Sequence, residues 1–121
     1  MQDSRGKILW VDDEIHHLKP HILFLEEKGY NLIQATNGDD AIALCQEYQF
    51  DLILLDQSMP GMDGLKTLQS IKHIRESMPI IMITKTEDEW LMDEAITSQV
   101  EQFLIKPVNP SQIFMACKQV L

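Results

Sequence analysis

Carboxylates, a hydroxyl and an ammonium follow the short apolar runs of this sequence, each where a run ends. Asp12 and Asp13 come directly after the first run, and Asp56 follows the third. Thr84 follows the fourth run and Lys106 the fifth. If the runs are parallel strands, these side chains converge, because the carboxyl ends of strands in an open parallel sheet meet where ligands bind. The pattern therefore predicts one polar site built from distant parts of the chain.

Three of these residues are carboxylates, and their chemistry indicates a cation. Carboxylates held together repel one another and raise one another's proton affinity unless a cation lies among them. Oxygen ligands without an obvious cysteine or histidine favour a hard ion. Mg²⁺ typically uses few carboxylates and binds phosphate oxygens. Asp12, Asp13 and Asp56 thus predict a Mg²⁺ site that acts on a phosphoryl group.

Asp56 is the candidate nucleophile of the group. An aspartate after a strand commonly caps the next helix, but residues 57–61 read as a loop, so this explanation is weakest for Asp56. Aspartate can accept a phosphoryl group as an acyl phosphate. Such a transfer needs alignment and neutralised oxygens, which Mg²⁺, the Lys106 ammonium and the Thr84 hydroxyl can supply.

The five apolar runs predict the elements that position this site. They occupy residues 7–11, 30–35, 52–55, 80–83 and 103–105, and a helix-length segment follows each. Several are apolar at consecutive positions, which is typical of a parallel sheet covered on both faces. We therefore predict an α/β protein, a three-layer sandwich of five strand-helix units.

Turn and cap residues indicate where the helices begin and end. Gly29 can end the first helix, because glycine readily adopts the left-handed backbone conformation found there. Asn37 can cap the start of the second helix, and Asn109 followed by Pro110 suits the start of the last. Pro20 requires either a helix that begins near Lys19 or a kinked one.

His17 and His21, one turn apart, are interpreted as a solvated helix face rather than a metal pair, since no third ligand is near.

Composition limits the class of protein. A chain of 121 residues with 45% hydrophobic residues can form one domain with a core of its own. A net charge of −9 argues against direct binding to nucleic acid. Cys45 and Cys117 lie in apolar helical patterns and are expected to be separate buried thiols in a reducing cytoplasm. No apolar stretch suggests export or a membrane span.

Five segments together resemble the receiver domains of two-component response regulators. They are ILWVDDE (8–14), DLILLD (51–56), MPGMDG (59–64), IT (83–84) and FLIKP (103–107), and the resemblance covers essentially the whole chain. It implies a flavodoxin-like (CheY-like) fold with five parallel strands in the order 2-1-3-4-5 and five helices. It also implies a cytoplasmic signalling domain, not an enzyme, that takes a phosphoryl group from a sensor histidine kinase.

The resemblance assigns a role to each matching residue. Asp12, Asp13 and Asp56 hold Mg²⁺, and the backbone carbonyl of Ser58 completes the metal site. Asp56 is the residue phosphorylated.

On the same basis, Thr84 and Lys106 grip the phosphoryl oxygens. Thr84 moves toward the phosphoryl group while Phe103 turns inward, although core packing alone also explains an aromatic in a strand. The Lys106-Pro107 peptide bond is expected to be cis. Lys85 departs from the small residue usual after the threonine.

The partners follow from the family as well. Phosphorylation is expected to control an output domain beyond Leu121 or a partner protein, and a homodimer can form through helix four, strand five and helix five. Trp90, among acidic residues at the start of helix four, is a candidate for that contact, or simply part of a solvated helix end. Segments 8–14, 18–25 and 103–110 further resemble PorX-type regulators, whose output domain is similar to the alkaline phosphatase superfamily.

Three other functions share parts of this pattern. A Mg²⁺-dependent phosphatase resembling the haloacid dehalogenase group has alternating Asp-x-Asp after strand one, whereas Asp12 and Asp13 are adjacent. A flavin site is disfavoured because these acidic residues repel a phosphate. A module that signals by contacts alone, without phosphorylation, is disfavoured but not excluded by the complete set of polar residues.

Overall fold

The computed structural model describes residues 5–85 and 88–121. Its strands are β1 (Gly6–Val11), β2 (Tyr30–Ala35), β3 (Leu52–Asp56), β4 (Ile80–Thr84) and β5 (Gln102–Ile105). They form one parallel sheet in the order β2-β1-β3-β4-β5. This is the predicted fold class and strand order, with β1, β3 and β4 inside the sheet and β2 and β5 at its edges.

Helices cover both faces of the sheet. They are α1 (Lys19–Glu27), α2 (Gly38–Glu47), α3 (Gly64–Ile74), α4 (Glu89–Thr97) and α5 (Pro110–Val120). Successive side chains of a strand point to opposite faces, so Leu9 and Val11 join the core under α2, α3 and α4, whereas Ile8 and Trp10 join the core under α1 and α5. The predicted three-layer sandwich is confirmed.

The two cysteines lie in different cores and stay apart. Cys45 belongs to the core under α2 and Cys117 to the core under α5, and both are buried free thiols. Burial raises the pKa of Cys45 to about 11 and that of Cys117 to about 12. Thiols with such a pKa are poor nucleophiles and metal ligands near neutral pH, which agrees with a structural role.

The predicted helix ends are confirmed. Gly29 has a φ of 101° after α1, and the side chain of Asn37 accepts a hydrogen bond from an amide in the first turn of α2. Asn109 forms a capping box with Gln112 at the start of α5. The structure also settles the question at Pro20. A short 3₁₀ turn over Ile15–Leu18 precedes α1, and Pro20 then lies in the first turn of the helix, where its missing N–H costs nothing.

Strand register brings the candidate residues to one edge of the sheet. Val11 pairs with Leu55, so Asp12, the next residue, lies beside Asp56. Thr84 pairs with Ile105, which places Lys106 just beyond the end of β4. Among the described residues, no helix is long and apolar enough to cross a membrane.

Candidate functional site

Three carboxylates converge at the carboxyl edge of the sheet. One oxygen from each of Asp12, Asp13 and Asp56 lies within 4.8 Å of the others, and within residues 5–85 and 88–121 this is the one such cluster of potential metal ligands. Asp12 is 3% exposed and Asp56 2% exposed, whereas Asp13 is half-buried. The spacing of the predicted metal ligands is therefore short enough for a single ion to reach all three.

Lys106 brings an ammonium group into contact with two of these carboxylates. Its Nζ lies 2.8 Å from Oδ1 of Asp56 and 3.4 Å from Oδ2 of Asp12. One ammonium against three carboxylates leaves a formal charge of −2, which a divalent cation would balance. The uncompensated charge and the all-oxygen donor set fit Mg²⁺.

The pKa values of Asp56 and Lys106 reflect this arrangement. Burial raises the pKa of Asp56 above its ordinary value, and the negative charges of Asp12 and Asp13 raise it further, while Lys106 only partly opposes the rise. Burial by itself would lower the pKa of Lys106, but its contacts with Asp56 and Asp12 outweigh burial and raise it. Lys106 is therefore charged near neutral pH, and Asp56 has a pKa above that of an ordinary aspartate.

This shift predicts a pH-dependent stability difference for the Asp56→Asn variant. Because the folded pKa of Asp56 lies above the ordinary value of 3.8, protonated Asp56 favours folding below pH 3.8, and that stability is lost as the pH rises through the folded pKa. We expect metal-free Asp56→Asn to resist urea better than the wild type at pH 7. The difference should shrink as the pH falls toward 3.8 and when Mg²⁺ is added.

Urea denaturation at several pH values, with and without Mg²⁺, measures this difference directly. Asp51→Asn is the matched control, because Asp51 is an exposed aspartate at the opposite end of β3. A metal-free Asp56→Asn variant less stable than the wild type at pH 7 contradicts the electrostatic account.

Backbone hydrogen bonds fix Asp12. Its N–H donates to the Ala35 carbonyl at 3.0 Å, and its Oδ1 accepts from the Glu14 N–H at 2.8 Å. Asp12 thus also stabilises the turn after β1, the ordinary role that strand-end aspartates often have. Asp56 has no such role, because Asp63 caps α3 by accepting from the Lys66 N–H.

Gln57 is a positioning residue that the sequence patterns did not reveal. Its backbone N–H donates to the Ile83 carbonyl at 2.9 Å, and its side-chain Oε1 accepts from the Leu65 N–H at 2.7 Å. Its own carbonyl accepts from the Gly64 N–H at 3.0 Å. The residue after Asp56 therefore ties the β3–α3 loop both to β4 and to the start of α3. A second polar residue directly after the strand-end Asp56 is the one signal that could have indicated it.

The other predicted residues lie around this centre. Thr84 is fully buried as the last residue of β4, and Ser58 is exposed two residues beyond Asp56. Phe103 is half-buried on β5 opposite Met82 and packs on the core under α2, α3 and α4. The peptide bond between Lys106 and Pro107 is cis, as predicted.

Comparison with known proteins decides the family. The response regulator receiver domain model matches residues 8–118. The chain belongs to this family. As a receiver domain it is the signalling module of two-component response regulators. Receiver domains bind Mg²⁺ at an acidic aspartate cluster, and the structure has a group of Asp12, Asp13 and Asp56.

Curated relatives of this receiver domain are longer regulators. The transcriptional regulatory protein ResD of Bacillus subtilis is 35% identical over 120 residues, which cover 99% of this chain and 50% of ResD. ZraR of Salmonella typhimurium is 38% identical over 107 residues, which cover 87% of this chain and 24% of ZraR. The chain therefore spans half or less of these relatives.

Solved structures agree on the fold. The chemotaxis protein CheY4 of Vibrio cholerae is 29% identical with a TM-score of 0.89, covering 96% of this chain and 98% of that chain. A CheY-like receiver domain from Methanospirillum hungatei is 28% identical with a TM-score of 0.90, covering 96% and 93%. The receiver domain thus has the CheY-like fold over nearly its whole length.

Proposed function

We propose that Asp56 is the phosphoryl acceptor of this receiver domain and that the donor is the phosphohistidine of a sensor histidine kinase. The observation that carries the proposal is the position of Asp56, which is buried among carboxylates with the Lys106 ammonium 2.8 Å from its Oδ1. Asp12, Asp13, Asp56 and the Ser58 carbonyl would hold Mg²⁺. When bound, Mg²⁺ neutralises the carboxylates and the incoming phosphoryl oxygens.

The transfer is a substitution at phosphorus. A carboxylate oxygen of Asp56 attacks the phosphorus, the P–N bond of phosphohistidine breaks, and the departing imidazole nitrogen keeps the electron pair and takes a proton from solvent. Lys106 pairs with the developing charge on the phosphoryl oxygens, and the Thr84 hydroxyl donates a hydrogen bond to one of them. Charge neutralisation and alignment by these side chains are the main contributions of the protein, which acts as a phosphoacceptor and not as an enzyme on other substrates.

We further propose that phosphorylation of Asp56 changes a surface of the domain away from the site. Thr84 moves toward the phosphoryl group, Phe103 turns inward, and the face of α4, β5 and α5 changes shape. Trp90 on α4 is 64% exposed, which supports a contact role for this face in a homodimer or with an output domain beyond Leu121.

A CheY of Borrelia burgdorferi, 26% identical with a TM-score of 0.87, was crystallised with CheX, BeF3 and Mg²⁺. We place the domain in the cytoplasm, without direct contact to nucleic acid; its PorX-type likeness stays a prediction.

Incubation with acetyl phosphate and Mg²⁺ tests the acceptor. In this assay the P–O bond breaks and acetate leaves, so the reaction needs no kinase. We expect intact-mass measurement to find one phosphoryl adduct on the wild type, none on Asp56→Asn, and none on the wild type in excess chelator. Asp51→Asn, an exposed aspartate at the other end of β3, should behave as the wild type.

Two outcomes would favour the other functions. A wild type without an adduct favours a module that signals by contacts alone. Rapid repeated hydrolysis of small phosphate esters favours a phosphatase, because a receiver domain turns over only its own acyl phosphate.

A further inference from the structure

A hydrogen bond joins α1 to the loop that carries Lys106. Nε2 of His21 lies 2.8 Å from the carbonyl oxygen of Val108, and the two residues are 87 positions apart. A carbonyl can only accept, so Nε2–H of His21 is the donor. Val108 follows Lys106 by two residues, which makes this a direct tie between α1 and the ammonium-bearing loop.

Packing holds the His21 ring in the orientation that this bond needs. The ring is half-buried and packs edge-to-face with the Trp10 ring, with 6.2 Å between centroids and an angle of 82° between planes. Trp10 is 1% exposed in β1, two residues before Asp12. His21 therefore contacts a fixed part of the sheet on one side and the Val108 carbonyl on another.

The loop has three successive anchors. The Lys106 N–H donates to the Thr84 carbonyl at 2.6 Å, the Val108 carbonyl accepts from His21, and Asn109 begins α5 with its capping box. The first anchor fixes the loop to β4 and the last fixes it to α5. The His21 bond lies between them and sets how closely the loop approaches α1.

The same contact borders the proposed phosphorylation site. His21 and Val108 line a cavity of about 480 Å³ whose walls also include Asp12 and Lys106. If the bond is lost, the loop can shift relative to α1, because the cavity that both line leaves room for movement. Since the Lys106 ammonium must remain near Asp56, a displacement of about 1 Å is enough to slow a reaction that depends on alignment.

We propose that His21 is a positioning residue for Lys106 in phosphoryl transfer. This inference rests on the proposed function of Asp56 and adds a residue outside the strand-end site. His21 does not contact the phosphoryl group. It acts by holding the Val108 carbonyl, and through it the Lys106 backbone, at the distance that keeps the ammonium against Asp56.

A pair of amide variants tests the bond. Gln places its side-chain N–H near the position of Nε2, whereas Asn is too short to reach the Val108 carbonyl. With acetyl phosphate and Mg²⁺, we expect His21→Asn to be phosphorylated about five to ten times more slowly, the factor that a lost hydrogen bond and a shifted loop imply. His21→Gln should recover most of the rate, and His16→Asn, an exposed neighbour, should match the wild type.

A double-mutant cycle with Lys106→Ala separates positioning from a general structural effect. If His21 acts through Lys106, the His21→Asn change no longer slows phosphorylation in the Lys106→Ala background. Hydrogen exchange of residues 105–109 should be faster in His21→Asn and close to that of the wild type in His21→Gln, with or without phosphorylation.

The outcomes distinguish this proposal from the function on which it rests. A wild type that forms no adduct overturns the proposed function and the catalytic effect of His21 together. A phosphorylated wild type with an equally fast His21→Asn variant overturns the positioning role alone. So does an equal slowing with and without Lys106, because the effect would then not pass through the ammonium.

Discussion

The Lys106→Met variant is expected to be phosphorylated by acetyl phosphate about 10³ times more slowly than the wild type, the loss typical when a charge that stabilises a transition state is removed. The Lys106 ammonium contacts buried Asp56, the proposed acceptor, at 2.8 Å and Asp12 at 3.4 Å. Methionine keeps much of the aliphatic length but not the charge. The attacking carboxylate and the incoming phosphoryl oxygens then meet with less compensating charge, so the barrier rises.

Single-turnover phosphorylation followed by intact mass, at saturating Mg²⁺, measures this loss. Lys85→Met is the informative control, because Lys85 is exposed and lines the same cavity. If the contact between Lys106 and Asp56 matters, rather than positive charge anywhere near the site, Lys85→Met should change the phosphorylation rate less than about threefold. This holds at physiological salt, where exposed charges are screened. Equal losses in both variants would refute a specific role for Lys106.

The Gly64→Ala variant is expected to lose about 1 to 2 kcal/mol of stability. A Cβ at Gly64 would lie 2.5 Å from the Asp56 carbonyl oxygen and 2.7 Å from the Gln57 Cα, and both are backbone atoms that cannot rotate away. Overpacking of this kind costs about 1 to 3 kcal/mol, and the better helix propensity of alanine returns at most about 1 kcal/mol. The strain falls on the loop that bears Ser58, so we also expect Mg²⁺ affinity to fall about tenfold, as is typical when residues that orient metal ligands are changed.

Urea denaturation measures the stability change, and titration with Mg²⁺ at constant ionic strength measures the affinity. Gly61→Ala is the matched control in the same loop. Gly61 has a φ of 79°, but a Cβ added there would meet no heavy atom within 4 Å. Gly61→Ala should therefore lose about 1 kcal/mol of stability, because alanine disfavours a positive φ. We expect its Mg²⁺ affinity to stay nearly unchanged. A Gly64→Ala variant as stable as the wild type would contradict this prediction, because the loop backbone would then move away from the added Cβ at little cost.

The fold could be predicted from the sequence because its signals are local. Apolar runs predicted all five strands to within one residue at each end. The inner strands are mainly apolar at consecutive positions because both of their faces are covered. Asn37 and Asn109 predicted helix starts through caps that act within one turn. Because the carboxyl ends of parallel strands meet at one edge of the sheet, the predicted fold also placed Asp12, Asp56 and Lys106 close together.

Contacts that depend on the tertiary arrangement could not be predicted in this way. The interpretation of His17 and His21 as a solvated face is wrong for His21, which is half-buried and bonded to a carbonyl 87 residues away. Nothing in the local pattern of α1 indicates that partner. Gln57 was overlooked for the same reason, since its role appears only when the start of α3 returns to the end of β3.

The contact between Lys106 and Asp12 joins residues 94 positions apart. During synthesis the ribosome delivers Asp12 early and Lys106 only after most of the domain has emerged, and β5 must then pair with β4 before the ammonium reaches Asp56. Domains commonly fold as units once they are complete. A nascent or truncated chain that lacks β5 therefore has Asp56 without the Lys106 ammonium that contacts it in the folded domain, and we expect such a chain to accept phosphoryl groups poorly.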